Sequence, residues 1–236
     1  ISTALNELLP LAKELNLNVR GVAFHVGLGA TEFLLIFKAI SDLKVVFERA
    51  KLLGFENLDV LDIGGGFQQS SFKEASQVVR KLLDQFFFNE ISCGEVTVIA
   101  EPGRFMVADA FALATHVIGR RESVDLDIPP MLYINDGVYG NMNCILFDHQ
   151  TPRARVLTSR GRCVAFTENA INSHVFLIWG PTCDGLDCIT DGVKLGHDVQ
   201  VGDWLYFADL GAYTAAATTS FNGFSSEARV FYVNLE

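Results

Sequence analysis

Apolar positions recur at two periods along the chain, and the change of period divides it. Leu5, Leu8, Leu9, Ala12 and Leu15 fall at helical spacing, so Ile1 to Leu17 reads as an amphipathic helix. Gly21-Val22-Ala23-Phe24-His25-Val26 is a short apolar run closed by Gly27 and Gly29, the pattern of a buried strand. Thr31 is placed to cap a helix from Glu32 to Leu53, which Gly54 stops. Leu58 to Ile63 is a second buried strand, ended by Gly64-Gly65-Gly66, and a helix over Ser71 to Phe87 follows. Val96 to Ala100 is a third strand, ending at Glu101-Pro102-Gly103-Arg104. Strands separated by helices imply right-handed crossovers and a parallel sheet. Each strand ends in glycine or a polar group, and β/α barrels place their active sites at that rim. Three strands do not close an eight-stranded barrel. The expectation is a fragment, with most of a barrel upstream of Ile1.

Beyond Arg104 the period changes. Phe111 to Arg121, Met131 to Asn135, Val175 to Trp179, Asp203 to Phe207 and Arg229 to Val233 read as strands. Glu122 to Pro130 reads as a polar loop, and Thr151 to Arg162, polar and basic, as an exposed, mobile loop. The fold class is therefore α/β plus all-β: a partial TIM-type barrel over 1–106 followed by a β domain over 107–236, the boundary falling near Val107.

Composition narrows the function. Half of the 236 residues are apolar and 19% are charged, which excludes disorder. The net charge of −10 argues against a nucleic-acid binder, which needs a basic face. No apolar run reaches the roughly 18 residues of a membrane span. The first residues carry no signal-peptide pattern. Five cysteines, an odd number in a chain of this size, read as reduced thiols of a cytoplasmic protein rather than a disulfide framework. None sits at zinc-finger spacing, so no metal site is expected.

Several residues at the rim could carry chemistry. The run Gly64-Gly65-Gly66 lets backbone N–H groups approach an anion, or is simply a tight turn. Arg104 can grip phosphate through its fork. Glu101, three residues before it, suits a ligand bearing both a phosphate and a protonated ring nitrogen, as pyridoxal phosphate does. The alternative is a structural ion pair. His25 is either a core histidine or a ring stacked on an aromatic group. Cys183-Asp184, between Pro181 and Gly185, reads as a loop presenting a thiol suited to proton donation, or as an inert buried cysteine. Asp136 and Asp148 bracket Gly137-Val138-Tyr139-Gly140 and read as turn formers.

Taken together these segments resemble a family. Phe24-His25-Val26-Gly27, Leu61-Asp62-Ile63-Gly64-Gly65-Gly66-Phe67 and Ala100-Glu101-Pro102-Gly103-Arg104 carry the likeness in the first half. Asn135-Asp136-Gly137-Val138-Tyr139-Gly140, Trp179-Gly180-Pro181-Thr182-Cys183-Asp184-Gly185-Leu186-Asp187, Gly211-Ala212-Tyr213-Thr214 and Phe221-Asn222-Gly223-Phe224 carry it in the second. In that order the chain resembles the eukaryotic, fungal-type ornithine decarboxylases, in the fold group shared with alanine racemase. The resemblance implies a pyridoxal 5'-phosphate enzyme of polyamine biosynthesis that converts L-ornithine to putrescine, working as a homodimer with shared active sites. By position, His25 stacks on the cofactor ring, and Gly64, Gly65, Gly66, Gly103, Arg104 and Tyr213 hold its phosphate. Glu101 binds its ring nitrogen. Asp148, after Phe147, and Asp184 from the partner subunit receive the substrate's distal ammonium. Cys183, also from the partner, protonates the carbanion carbon, and Phe221 lines the substrate pocket.

Three departures qualify the resemblance. The family's cofactor-anchoring lysine lies in a Pro-x-x-Ala-x-Lys context, and none of Lys13, Lys38, Lys44, Lys51, Lys73, Lys81 and Lys194 stands in one. The chain as given is therefore expected not to anchor the cofactor covalently, and to be inactive alone. Leu28 stands where the family has Ser, and Phe147 where many relatives have Tyr. Two other readings remain open: a related decarboxylase of a modified amino acid in fungal alkaloid synthesis, and a non-catalytic paralogue that binds antizyme.

Overall fold

The computed structural model describes residues 1–26, 33–125, 127–164, 173–225 and 228–233. The expected cap at Thr31, the glycines Gly27 and Gly29, and Leu28 lie outside the described residues. The chain divides into two compact units, Ile1–Met106 and Val107–Glu236.

In the first unit, helix α1 (Leu9–Glu14) follows one π-helical turn at Ala4–Leu8. The expected uninterrupted helix over Ile1 to Leu17 is thus shorter and changes register. The cause is Pro10, which has no N–H to donate and sits at the start of α1, where that loss is tolerated. Strands β1 (Gly21–Ala23), β2 (Val60–Asp62) and β3 (Thr97–Ile99) pair in parallel, in the order β1-β2-β3. Between them run α2 (Phe33–Leu52) and α3 (Phe72–Ser92), five residues longer than its expected end at Phe87. Phe87 itself leaves helical geometry, yet it is fully buried and meets Phe47 of α2 edge-on at 5.6 Å. Ile36, Ile40, Leu43, Phe47 and Ala50 recur along one face of α2 and bury against the sheet and α3. A short helix, α4 (Gly103–Val107), follows the end of β3.

Among the described residues, the second unit is built on one curled sheet of seven strands. They are β4 (Leu113–Arg121), β5 (Met131–Ile134), β6 (Ala154–Ser159), β7 (Arg162–Cys163), β8 (His174–Trp179), β9 (Cys188–Leu195) and β10 (Trp204–Phe207), in the order β7-β6-β10-β4-β5-β8-β9. A short helix, α5 (Cys144–Phe147), lies between β5 and β6. Strand β6, next to the edge strand β7, also approaches β9 at the other edge, so the sheet curls back on itself. All pairings are antiparallel except β5 with β8.

Two expectations are corrected here. Thr151 to Arg162 is not an exposed, mobile loop, because β6 occupies its centre, paired on both sides with β7 and β10. Its arginines had suggested a solvated loop, but Arg153 and Arg155 alternate with Ala154 and Val156, which turn to the core. Conversely, no strand forms over the described residues 228–233, where Val230, Phe231, Tyr232 and Val233 are exposed. Strand β9, with Gly192 in its middle, was not expected. Among the described residues no helix is long and apolar enough to cross a membrane. None of the five cysteines, all described, is in a disulfide.

Candidate functional site

The first group of candidate residues is laced together where β1, β2 and β3 end. The Gly65 N–H donates to His25 Nδ1 at 3.2 Å, so the imidazole presents its Nε2–H tautomer. The Glu101 N–H donates to the Gly64 carbonyl at 2.8 Å, and the Gly64 N–H to Asp62 Oδ1 at 2.8 Å. Gly64 and Gly66 take φ of +68° and +89°, where a side chain is strained. A Cβ on Gly64 would stand 2.1 Å from the Phe24 carbonyl oxygen. One on Gly65 would meet the Glu101 carbonyl oxygen at 2.6 Å and the His25 ring at 3.1 Å. Glycine is therefore demanded by close approach of three strand ends. His25 and Glu101 are exposed at this rim, and Arg104, on α4, is half-buried. Gly103 opens α4, its N–H turned back to the Glu101 carbonyl at 2.8 Å.

The second group lies in the β unit, at the C-terminal end of the parallel pair. The register Tyr133 to Trp179 sets the segment after β5 beside the segment after β8. Asp187, fully buried, pins them together. Its Oδ1 accepts the Val138 N–H at 2.9 Å, and its Oδ2 accepts the Thr182 N–H at 3.0 Å and hydroxyl at 2.7 Å. The Gly180 N–H in turn donates to the Asp187 carbonyl at 2.7 Å. Asp136 does the same work one turn away, accepting from the N–H groups of Gly137 and Asn141 and from the Asn141 amide. Burial pushes its carboxyl above the ordinary range, against the pull of those bonds.

On this frame Asp184 Oδ2 accepts the Tyr139 hydroxyl at 2.5 Å, and Oδ1 accepts the Leu186 N–H at 3.0 Å. The Tyr139 bond, then the Leu186 bond, hold the Asp184 carboxyl below its usual range. The same contact pushes the Tyr139 phenol up to about 12. Tyr139 stacks on Phe221, ring centroids 4.2 Å apart and 25° from parallel. The Asn222 amide reaches the sulfur of exposed Cys183 at 3.6 Å. A small cleft opens here, lined among others by Asp136, Tyr139, Thr182, Asp187, Phe221 and Phe224.

Tyr213 and Asp148 are placed by a third tie. The buried Asn143 amide donates to the Thr214 carbonyl at 2.7 Å, joining the turn at Tyr213 to the start of α5. Asp148 ends that helix, half-buried, and Phe147 beside it is 75% exposed. Tyr213 takes a positive φ of 54° and is largely exposed.

Thus His25, Gly64, Gly65 and Glu101 converge at one rim, and Cys183, Asp184 and Phe221 converge around Tyr139 and Asn222. The sequence reading missed Asp187, Tyr139 and Asn222 as organisers, while Asp136 closes the turn it was expected to form. The signal for Asp136 and Asp187 was an aspartate close to a glycine that ends a strand, at Asp136-Gly137 and again at Gly180 to Asp187.

The rim fits pyridoxal phosphate in two respects. Three successive glycines bring bare backbone to the rim, although Gly64 and Gly65 spend their N–H groups on Asp62 and His25, and a fork-bearing cation and a carboxylate follow the neighbouring strand. The seven lysines, all described, lie on α1, α2, α3 and β9.

Comparison with known proteins agrees with this chemistry. The family described as "Pyridoxal-dependent decarboxylase, C-terminal sheet domain" matches residues 34–211. An ornithine decarboxylase of Candida albicans is 50% identical over 258 residues, covering 99% of this chain and 54% of that protein. An antizyme inhibitor 2 of Xenopus laevis is 42% identical, covering 92% of this chain and 48% of that protein. The crystal structure of the Paramecium bursaria Chlorella virus arginine decarboxylase superposes with a TM-score of 0.78 at 34% identity, over 93% of this chain and 56% of that one. The chain spans about half the length of the curated relatives it matches.

Proposed function

This chain belongs to the pyridoxal-dependent decarboxylases, and from that premise we propose that it is the site-bearing part of an ornithine decarboxylase that releases putrescine and carbon dioxide. The observation that carries the proposal is the lacing of three strand ends into one rim through Gly65 to His25 and Glu101 to Gly64. On this reading Ile1 to Met106 is the C-terminal part of a β/α barrel and Val107 to Glu236 its β domain. The protein is a cytoplasmic homodimer with shared sites.

The chemistry that pyridoxal phosphate supplies when bound is an electron sink for the pair left at Cα as carbon dioxide departs. The chain's own residues make that sink usable. Glu101 holds a proton at the ring nitrogen. Arg104, Tyr213, Gly103 and the glycine turn Gly64 to Gly66 bind the phosphate. His25 lies flat on the ring, its orientation fixed by the Gly65 N–H. Asp148 from one subunit and Asp184 from the other hold the distal ammonium, between the rings of Phe147 and Phe221. Cys183 delivers a proton from its sulfur to Cα.

The test is carbon dioxide release by the full-length protein of which this chain is read as a part, purified with pyridoxal phosphate, across a panel of ornithine, lysine, arginine and N-substituted ornithines. Ornithine is expected to be the best substrate, and Arg104→Ala to lose the bound cofactor's visible absorbance. Preference for an N-substituted ornithine would redirect the reading to alkaloid synthesis. A colourless protein inert on the whole panel would overturn it. That result would favour an antizyme-binding regulator, a reading supported by the likeness to the frog antizyme inhibitor.

A further inference from the structure

We propose that Tyr139 is a positioning residue which locks the Asp184 carboxylate in one place and thereby sets the length of cationic substrate accepted. The inference rests on the reading of Asp184 as a contact for the substrate's distal ammonium.

Both carboxylate oxygens of Asp184 are held, and by different segments. Oδ2 takes the Tyr139 hydroxyl at 2.5 Å, and Oδ1 takes the Leu186 N–H at 3.0 Å. A carboxylate held at one oxygen can still swivel. Held at both, it cannot, yet each oxygen keeps a lone pair for an incoming N–H. The phenol that does the holding is itself immobilised. Its ring lies against Phe221, and its backbone carbonyl accepts both the N–H and the hydroxyl of Thr219, at 2.9 and 3.2 Å. Three chain segments, around Tyr139, Asp184 and Thr219 to Phe221, therefore meet at one side chain.

The consequence is selectivity. Neighbouring homologous diamino acids differ by one methylene, a difference in reach of roughly 1.3 Å, smaller than the swing of a free aspartate side chain. Only a fixed carboxylate can tell them apart. The phenol also remains a donor at every physiological pH, because its proton is held up to about 12. The Asp184 charge is thus presented to a cation without a competing titration.

Tyr139→Phe removes the hydroxyl and keeps the ring stack, so it isolates the lock. In the holoenzyme it is expected to raise KM for ornithine about tenfold, leave kcat within about threefold, and shrink the preference for ornithine over lysine. In an Asp184→Asn background the same replacement is expected to add less than about twofold. An unchanged KM and substrate ratio in Tyr139→Phe would overturn the proposal, as would an equal loss in the Asp184→Asn background. A second measurement does not depend on activity. The phenol titration assigned to Tyr139, from the ultraviolet difference between wild type and Tyr139→Phe, is expected to fall by about one unit in Asp184→Asn. No fall would overturn the lock itself. A fall together with no turnover of any diamino acid would overturn the substrate role, and with it the reading of the site.

Discussion

The carboxylate of Asp187 stands where a side chain at Gly180 would have to be. A Cβ on Gly180 would lie 2.1 Å from Oδ1 and 2.4 Å from Cγ. Gly137 faces the same oxygen at 2.2 Å. Two glycines thus clasp one buried acid. Gly180→Ala is expected to destabilise the β unit by about 3 kcal/mol, because either the acid or the backbone must move. Gly192→Ala, with nothing within 4 Å of its Cβ, is expected to change little. Denaturant unfolding of the two variants measures the contrast.

Strand β6 supplies a second prediction. Asp203, buried just before β10, accepts the Arg160 N–H at 2.7 Å and the Gln200 N–H at 2.8 Å, fastening the turn between β6 and β7. Hydrogen exchange is expected to show protected amides within Ala154 to Ser159, where a mobile loop would exchange at once. Asp203→Ala is expected to cost about 2 kcal/mol, since two N–H groups lose their acceptor.

The ion pair of Lys44 with Glu90, at 2.6 Å and mostly shielded, predicts a pH dependence. The hydrogen bond from Lys44, opposed by burial, holds the Glu90 carboxyl below its ordinary 4.5. A depressed carboxyl stabilises the fold above its unfolded value, and that stability is lost as pH falls through the folded value. Glu90→Gln leaves Lys44 in place over the Phe87 ring and removes only the charge. It is expected to be about 1 kcal/mol less stable than wild type at neutral pH. The difference should close below pH 4.5, as unfolding curves across that range would show.

The rim predicts a selective loss of cofactor. Gly65→Ala pushes a methyl group against the Glu101 carbonyl and the His25 ring. Equilibrium dialysis with pyridoxal phosphate is expected to show binding weakened by about tenfold or more in the protein carrying this change. A melting midpoint that falls only modestly would separate this effect from unfolding.

What the sequence displayed of this architecture was local. The three short strands of the first unit were legible because each is an apolar run closed by glycine or by Glu101-Pro102. β6 was not, because its two inward residues, Ala154 and Val156, alternate with Arg153 and Arg155, whose outward direction only the sheet reveals. The organisers of the second group were hidden for a related reason. Val138 and Asp187 are 49 positions apart, and Tyr139 and Asp184 are 45 apart, so no window of the sequence contains both partners. Cys183 was legible in its Pro181 to Gly185 loop, whereas Phe221 was legible only through resemblance to a family. Their geometry depends on Tyr139 and Asn222, to which the resemblance assigned no role.

The parallel pairing of β5 with β8 governs when this cleft can exist during synthesis. A hairpin closes locally, but Ile134 and His174 are separated by a long stretch that must be made before the two strands can meet. Tyr139 then waits for Thr219, 80 positions further on. A ribosome must therefore deliver nearly the whole second unit before every tie of the cleft is made. Until its partners arrive, the Asp187 carboxylate, which the finished fold buries completely, stays hydrated on the growing chain.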